Sequence, residues 1–350
     1  MVNSNKIPKV AVIIVNWNGK QFLDTCLSSV LKQTYENFDV ILVDNGSHDG
    51  SCEFMENAYP QVKLIKLSEN TGFAKGNNIG IKEAFRDEDI MYIALLNNDT
   101  KVDIHWLSEM VKVAEENESI GMCSCKIFLG ETDTIQNIAN YITRDGSGGS
   151  LLFGKADNNK YSRNMEVFCP CGAAVLYKRK MLEQIGLFDE DFFSYFEDLD
   201  LGWRGRLNGW KCIYVANAIV YHYHSKTYGA ASPFKAYYIE RNRIWFIIKN
   251  FPAKHLLLSL PCSIMRYFSL AKNAWKGVNS AGKLAKDTTA LNLVKITLKA
   301  YRDAVTEIPK MFGKRGNIKS LKKVTNNEIS IWFKRFGNVE QSLKQWEESK

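Results

Sequence analysis

Four short apolar runs occupy the N-terminal part of the chain, and each ends in a cluster of Asn, Asp, Thr and Gly. They cover residues 10–15, 38–43, 62–67 and 91–96. Each is rich in Val, Ile or Leu, the pattern of strands buried on both faces. The segments between them have helical periodicity. Residues 20–33 set Phe22, Leu23, Cys26, Leu27, Val30 and Leu31 on one stripe. A second helix is expected from near Ser47, whose hydroxyl is read as its cap, to just before Pro60. A third is expected over 73–85 and a fourth over 103–116. Strands alternating with helices predict an α/β fold, with a mostly parallel central sheet flanked by helices.

The next stretch, about residues 126–230, is less regular. Residues 144–150 read as a loop or hairpin tip. A strand is expected over 173–177, helices over 178–185 and 197–207, and two short runs at 211–215 and 218–222. Residues 233–250 are helical and aromatic-rich, and no internal repeat is visible.

The clusters that end the runs are Asn16-Trp17-Asn18-Gly19, Asp44-Asn45-Gly46-Ser47, Asn70-Thr71-Gly72 and Asn97-Asn98-Asp99. In open α/β sheets, ligands bind beyond the carboxyl ends of the strands, so these clusters are expected on one edge. One polar strand end is usually a turn. Four in succession, two of them carrying an acid, point to a site. Asp44 is placed to hydrogen-bond a base or ribose, with a turn former as the simpler reading. Asp99 is placed to hold a divalent cation beside a diphosphate, because Mg2+ takes most of its ligands from phosphate and water. No GxGxxG follows the first run and no GxxxxGK[ST] occurs, so the dinucleotide fingerprint and the P-loop are both missing.

Residues 192–209 are the densest signal. Glu197, Asp198 and Asp200 open a helix. Acids at a helix N-terminus complement its dipole, which accounts for one or two of them. Three acids framed by aromatic residues mark a carboxylate in a shielded pocket, where a general base belongs. His222 and His224 stand two apart and share a strand face. No third ligand follows at HExxH-like spacing, so one metal-facing histidine is a better reading than a two-His zinc site.

These blocks, in order VAVIIVNWNG, VDNGSHDGS, NTGFAKGNN, LLNNDT, CGAAVLYKR, FEDLDLGWR and VYHYHSKTYG, resemble the family 2 glycosyltransferases of the GT-A fold. Within that family the chain looks most like the bacterial rhamnosyltransferase-type branch that builds surface polysaccharides. The resemblance covers about residues 9–250. It implies a Rossmann-like nucleotide-diphospho-sugar transferase domain over 1–250, with a nucleotide-binding half (1–125) and an acceptor and catalytic half (126–250). By resemblance, Asn16, Asn18 and Asp44 hold the nucleotide, and Gly72 and Lys75 line the diphosphate side. Asn97-Asn98-Asp99 takes the place of the DxD motif. Asp99 matches its metal-binding acid and Asn97 its ribose-facing first position, so the site has one carboxylate fewer than the motif. Glu197-Asp198 matches the ED motif, with Asp198 where the catalytic base sits. His222 aligns with a His-x-x-Ser segment through Ser225 and is implied as second metal ligand. Arg241-Asn242 resembles an RN pair, which implies a phosphate contact for Arg241.

The implied reaction is a metal-dependent (Mg2+ or Mn2+), inverting sugar transfer from a dTDP- or UDP-linked donor to a hydroxyl of a glycan or lipid-linked oligosaccharide. Rhamnose is the leading sugar. A sugar nucleotidyltransferase would instead show an Arg-containing, Gly-rich loop after the first strand, which Asn16-Trp17-Asn18-Gly19 lacks. A non-catalytic nucleotide-sugar-binding module need not keep Asp99, Asp198 and His222 together.

Charge sets the C-terminal region apart. Residues 251–350 carry 19 Lys and Arg against 7 Asp and Glu, a net +12; the whole chain is +8, which leaves −4 for residues 1–250. A basic helical region on a weakly acidic body calls for an anionic partner. No zinc finger or RNP signature supports nucleic acid. Trp275, Leu284, Met311, Phe312 and Leu321 among the lysines fit helices lying on an anionic membrane surface. They equally fit a helical subdomain packing on the body or on a second copy. Residues 255–271 are apolar but broken by Pro261 and Arg266, too short to span a bilayer. The polar start of the chain reads as neither signal peptide nor anchor. The expected place of work is the cytoplasmic, inner face of the cell membrane. Cys123/Cys125 and Cys169/Cys171 have a CxC spacing poorly suited to zinc and read as buried thiols of a reducing compartment.

Overall fold

The four apolar runs form β1 (Lys9–Asn16), β2 (Phe38–Asp44), β3 (Lys63–Lys66) and β4 (Ile90–Asn97). The helices among them are α1 (Lys20–Val30), α2 (Ser51–Ala58) and α3 (Gly72–Ala84). A short β5 (Thr100–Val102) and α4 (Trp106–Glu115) follow. The computed structural model describes residues 7–157, 159, 161–223, 232–275 and 290–337. Within them the strands order as β3-β2-β1-β4, all parallel. Residues Val10 to Ile14 of β1 have no exposed surface, as a central parallel strand covered on both faces requires.

The chain winds outward from β1 through β2 to β3, then crosses back to set β4 on the other side of β1. That reversal is a topological switch point, where open α/β sheets bind ligands. The register puts Asn16 opposite Asp44, and Val15 opposite Asn97, so the ends of β1, β2 and β4 form one row. The α2 helix begins at Ser51, later than the Ser47 start the sequence suggests. Asp49 accepts the Ser51 N–H at 3.1 Å, and Gly50 turns the chain at φ 80°. Ser47 is occupied elsewhere, accepting the Asn18 N–H at 2.9 Å.

The sheet continues as a mixed one. Its strands are β6 (Ile120–Leu129), β7 (Thr134–Asn137), β10 (Lys155–Ala156), β11 (Met165–Val167), β12 (Ala174–Lys178) and β13 (Lys211–His222), with β8 (Asn140–Ile142) and β9 (Gly148–Ser150) paired separately. The two short runs expected at 211–222 are one strand, bulged between Val215 and Ile219. Between β12 and β13 lie α5 (Arg179–Ile185) and α6 (Glu197–Leu207). Cys123, Cys125 and Cys169 are buried, and burial pushes their thiols well above the ordinary range.

Apart from parts of β8 and β9, these elements belong to one compact unit, drawn from Met1–Tyr141, Ser150–Phe193 and Glu197–His224. A second comprises Ile142–Gly149, Ser194–Phe196 and Ser225–Lys350. Its helices are α7 (Pro233–Asn250), α8 (Ala253–Trp275), α9 (Ala290–Thr306), α10 (Ile308–Leu321) and α11 (Asn326–Arg335). It therefore starts before residue 250, with α7 packed on α9 and α10. Ser232 caps α7 by accepting the Lys235 N–H, and Pro233 supplies a first-turn φ that needs no donor. Phe251 packs edge-on against Phe246 and Phe333, at 5.7 and 5.2 Å between ring centroids.

The α6 helix is buried along almost its whole length and sits close to its neighbours. A Cβ at Gly202 would lie 2.2 Å from the Cβ of Cys169. Gly202→Ala is therefore expected to cost about 1–3 kcal/mol through overpacking, read as a lower urea midpoint at unchanged m-value.

Candidate active site

Asn16, the last residue of β1, is fully buried. Its amide donates to Asp44 Oδ2 at 2.9 Å and to Ser47 Oγ at 3.2 Å. Asp44 Oδ1 accepts the Ser47 N–H at 2.9 Å, so both Asp44 oxygens help shape the loop after β2. Asn98 then donates to Asn16 Oδ1 at 2.7 Å, bridging the ends of β4 and β1 at the switch point. Asn18 is exposed with a left-handed φ of 49°, and its Oδ1 accepts the His48 N–H at 2.8 Å. The α3 start is anchored by Asn45, whose amide donates to the Gly72 carbonyl and whose Oδ1 accepts the Thr71 N–H at 2.9 Å. Gly72 has φ 84°, and a Cβ there would meet Phe193 Cδ2 at 2.6 Å, so no other residue fits this turn unstrained. Lys75 is exposed in the first turn of α3.

Asp99 and His222 face each other. His222 Nε2 lies 2.9 Å from Asp99 Oδ1 and 3.5 Å from Asn97 Nδ2. On the other side of the ring, Gln136 Oε1 is 3.0 Å from Nδ1. With the hydrogen on Nδ1, shared with Gln136, the Nε2 lone pair would face the Asp99 carboxylate. Their spacing suits a metal, since adjacent octahedral ligands at about 2.1 Å from an ion are about 3 Å apart. Among the described residues no cluster of three or more His, Cys, Asp or Glu forms a metal site. A cation held here would take its remaining ligands from water and phosphate, which Mg2+ and Mn2+ accept. His224 lies outside the described residues.

The three acids of α6 have three different environments. Asp200 is fully buried and pairs with Arg204 at 2.9 Å, and Arg204 also donates to the Ile185 and Leu187 carbonyls. Glu197 is 6% exposed, and its Oε2 has no hydrogen-bond partner. Burial, with the Asp198 charge second, pushes its carboxyl well above the usual range. Asp198 is half-buried and held by three N–H donors. Asn140 Nδ2 and Gly172 N reach Oδ2 at 2.9 and 3.1 Å, and Leu199 N reaches Oδ1 at 2.7 Å. Desolvation raises its pKa, and the three donors offset part of that rise.

Gly172 links Asp198 to the rest. The adjoining Ala173 carbonyl accepts the Asn97 N–H at 2.8 Å. A Cβ at Gly172 would touch both Phe73 and Asp198, at 3.2 and 3.5 Å. Asp198, the start of α3, Asn97–Asp99 and His222 are thus contiguous within one unit. Arg241 belongs to the other unit, on α7, where its guanidinium stacks 4.0 Å over the Trp245 ring and donates to Asn242 at 2.9 Å.

The residues before α6 are strained. Phe193, Tyr195 and Phe196 have φ of 65°, 69° and 75°, each costing about 1–3 kcal/mol. Ala74 N–H binds the Phe193 carbonyl at 3.2 Å. In the second unit, the buried Asn242 amide donates to the Ser194 and Tyr195 carbonyls at 2.9 and 2.7 Å. Gln136 and Asn140 are not legible as site residues in the sequence. The first lies 86 residues from His222 and the second 58 from Asp198, with no local pattern joining them.

Residues 11–186 match Glycosyl transferase family 2; the match includes Asp99 and ends before Asp198 and His222. The O-antigen biosynthesis protein RfbC of Myxococcus xanthus is 29% identical over 233 residues, 62% of this chain but 17% of the relative's length. The N-acetylglucosaminyl-diphospho-decaprenol L-rhamnosyltransferase of Mycobacterium tuberculosis is 25% identical over 62% of this chain and 77% of its own. In fold, the chain is similar to the mannosyltransferase PcManGT of Pyrobaculum calidifontis, solved with GDP-Man and Mn2+. The TM-score is 0.52 at 15% identity, covering 91% of this chain and 86% of that one. The fold is GT-A, and with half of its length matched the chain belongs to glycosyl transferase family 2.

Proposed function

We propose that the chain transfers a sugar from a nucleotide-diphosphate donor to an acceptor hydroxyl with inversion, in surface polysaccharide synthesis. The observation that carries this reading is the contiguity of Asp198, Asn97–Asp99 and His222 at the switch point. Rhamnose, from a dTDP- or UDP-linked donor, is the leading sugar, supported by the name of the Mycobacterium relative. The acceptor is a glycan or lipid-linked oligosaccharide reached at the inner face of the cell membrane. No helix among the described residues is long and apolar enough to cross a membrane.

Asp198 accepts the proton of the acceptor hydroxyl as that oxygen attacks the anomeric carbon. The nucleoside diphosphate departs from the opposite face, which inverts the configuration. The three N–H donors fix the Asp198 carboxylate, and its raised pKa makes it a stronger base than an exposed aspartate. Burial favours the neutral form of Glu197 beside it. Asn16, Asn18, Asp44, Asn97 and Asn98 form the nucleotide edge, with Gly72 and Lys75 at the diphosphate. Arg241 is retained as a phosphate contact on the RN resemblance alone. Asp99 and His222 would hold the divalent cation, which neutralises charge on the leaving phosphates.

The test of the reading is a panel of nucleotide sugars with Mn2+ or Mg2+, read as nucleoside diphosphate release with and without acceptors. Release with a dTDP- or UDP-sugar and an inverted anomeric signal in the product by NMR is the expected result. A product that keeps the donor's configuration would remove the single-displacement mechanism.

Asp198→Asn is expected to lower kcat by at least about 10²-fold with donor affinity spared. In the wild type, kcat/KM should fall with decreasing pH through an apparent pKa above aspartate's ordinary 3.8, because the base works deprotonated. Glu197→Gln, which mimics the neutral acid, should keep turnover within about tenfold, well short of the loss of a general base. Its stability should also change with pH in a defined sense. Folded Glu197 holds a proton that the unfolded chain releases above about 4.5, so wild-type stability declines as pH rises from there toward the folded pKa. The Gln variant lacks that slope, which urea midpoints across pH would reveal. Gln136→Leu should weaken Mn2+ binding by about 10–100-fold through loss of the bond that orients His222, as titrated by Mn2+ electron spin resonance.

A further inference from the structure

The α8 helix is turned inside out. Its inward positions are His255 (4% exposed) and Ser259 (2%), followed by Ser263, Arg266 and Tyr267. These last three enter a polar cluster with α7. Arg243 donates to Ser263 Oγ at 3.1 Å and to the Tyr267 hydroxyl at 3.0 Å. Arg266 pairs with Glu240 and lies 3.5 Å from Asp145. Burial alone would raise the Glu240 pKa, but Arg266 and Arg243 hold it below the usual range.

The opposite face is apolar and bare. Leu257, Leu260, Ile264, Met265 and Phe268 are 69, 61, 58, 71 and 75% exposed. Four of them, at 257, 260, 264 and 268, follow helical spacing and form one stripe. A globular surface helix normally carries the reverse arrangement, and so contiguous an apolar stripe marks an interaction site. The α9 helix repeats the pattern, with Val294, Leu298 and Val305 exposed at 53, 64 and 56% among the exposed Lys295, Lys299 and Arg302.

We infer that the α8 stripe seats the second unit in the surface of an anionic bilayer. Charge selects this occupant. Lys254 and Lys272, both exposed, flank the stripe at the two ends of α8, and the sequence from residue 251 on carries a net +12. Lysines at the ends of an apolar helix face reach anionic headgroups while the stripe enters the boundary with the acyl chains. A second copy of this chain would set the same basic region against itself. The helix lies in the interface and does not span it, because Arg266 is bound to acids on its inward side. This deepens the membrane-face reading proposed above and does not depend on the transfer chemistry.

The test is flotation of the full chain with vesicles of phosphatidylcholine, alone or with 30% phosphatidylglycerol (a composition of about one anionic lipid in three, enough for a negative surface potential). Binding is expected to the anionic vesicles, weakening as salt is raised. Ile264→Ser/Phe268→Ser should reduce it by at least about tenfold. Lys254→Gln and Lys272→Gln should each reduce it about fivefold. All four side chains are exposed, so thermal midpoints should stay at the wild-type value or rise. Nucleoside diphosphate release without vesicles should be unchanged in the double variant, which keeps a failure of docking apart from a failure of the transferase reading. Absence of flotation at low salt would overturn the inference, as would flotation undiminished in the double variant. A wild-type dimer that the double variant turns into a monomer would reassign the stripe to a second copy.

Discussion

The hydrogen bond from Asn98 to Asn16 joins the ends of β4 and β1, where the winding of the parallel strands reverses. The polar ends of β1, β2 and β4 are arranged around it. On one side, Asn16 carries Asp44 and Ser47, and through them the loop after β2. On the other, the chain runs from Asn98 into Asp99, which faces His222 from a strand more than a hundred residues away. The physical requirement is that buried amides be fully bonded. Asn16 meets it only when β1, β2 and β4 end in one row, so the register of the strands and the shape of the site are a single constraint.

Strain and desolvation meet at the start of α6. Three consecutive-region aromatic residues with left-handed φ precede an acid with an unpartnered buried oxygen and an acid held by three N–H donors. Such backbone persists only where its surroundings over-determine it. Here the carbonyls of the strained segment are captured by Ala74 and, in the second unit, by Asn242. Asp200 contributes no reactive group; with Arg204 it fastens the helix to the carbonyls at the end of α5.

The second unit solves a different problem. Its charged groups Glu240, Arg243, Arg266 and Asp145 lie together where α8 directs its polar face inward. That leaves Leu, Ile, Met and Phe outside, and an exposed apolar face must be stabilised by something other than water. The inverted helix and the basic composition occur in the same region, and both suit the anionic surface proposed for it.

Much of this was legible from the sequence alone. Four apolar runs with polar ends determined the parallel half of the sheet, although only β1, β2 and β4 are largely buried and β3, at the edge, is half-exposed. The seven motif blocks carried the family. Helix starts shifted where side chains competed, as when Ser47 bonded Asn18 instead of capping α2. Only the tertiary structure decided which of three adjacent acids is paired, orphaned or presented, that Gln136 orients His222, and that α8 faces outward with its apolar side. Asn140 reaches Asp198 from 58 residues away and Gln136 reaches His222 from 86, beyond any local pattern. Periodicity tells that a helix has two unlike faces; which face turns inward is set by the charges already waiting on α7.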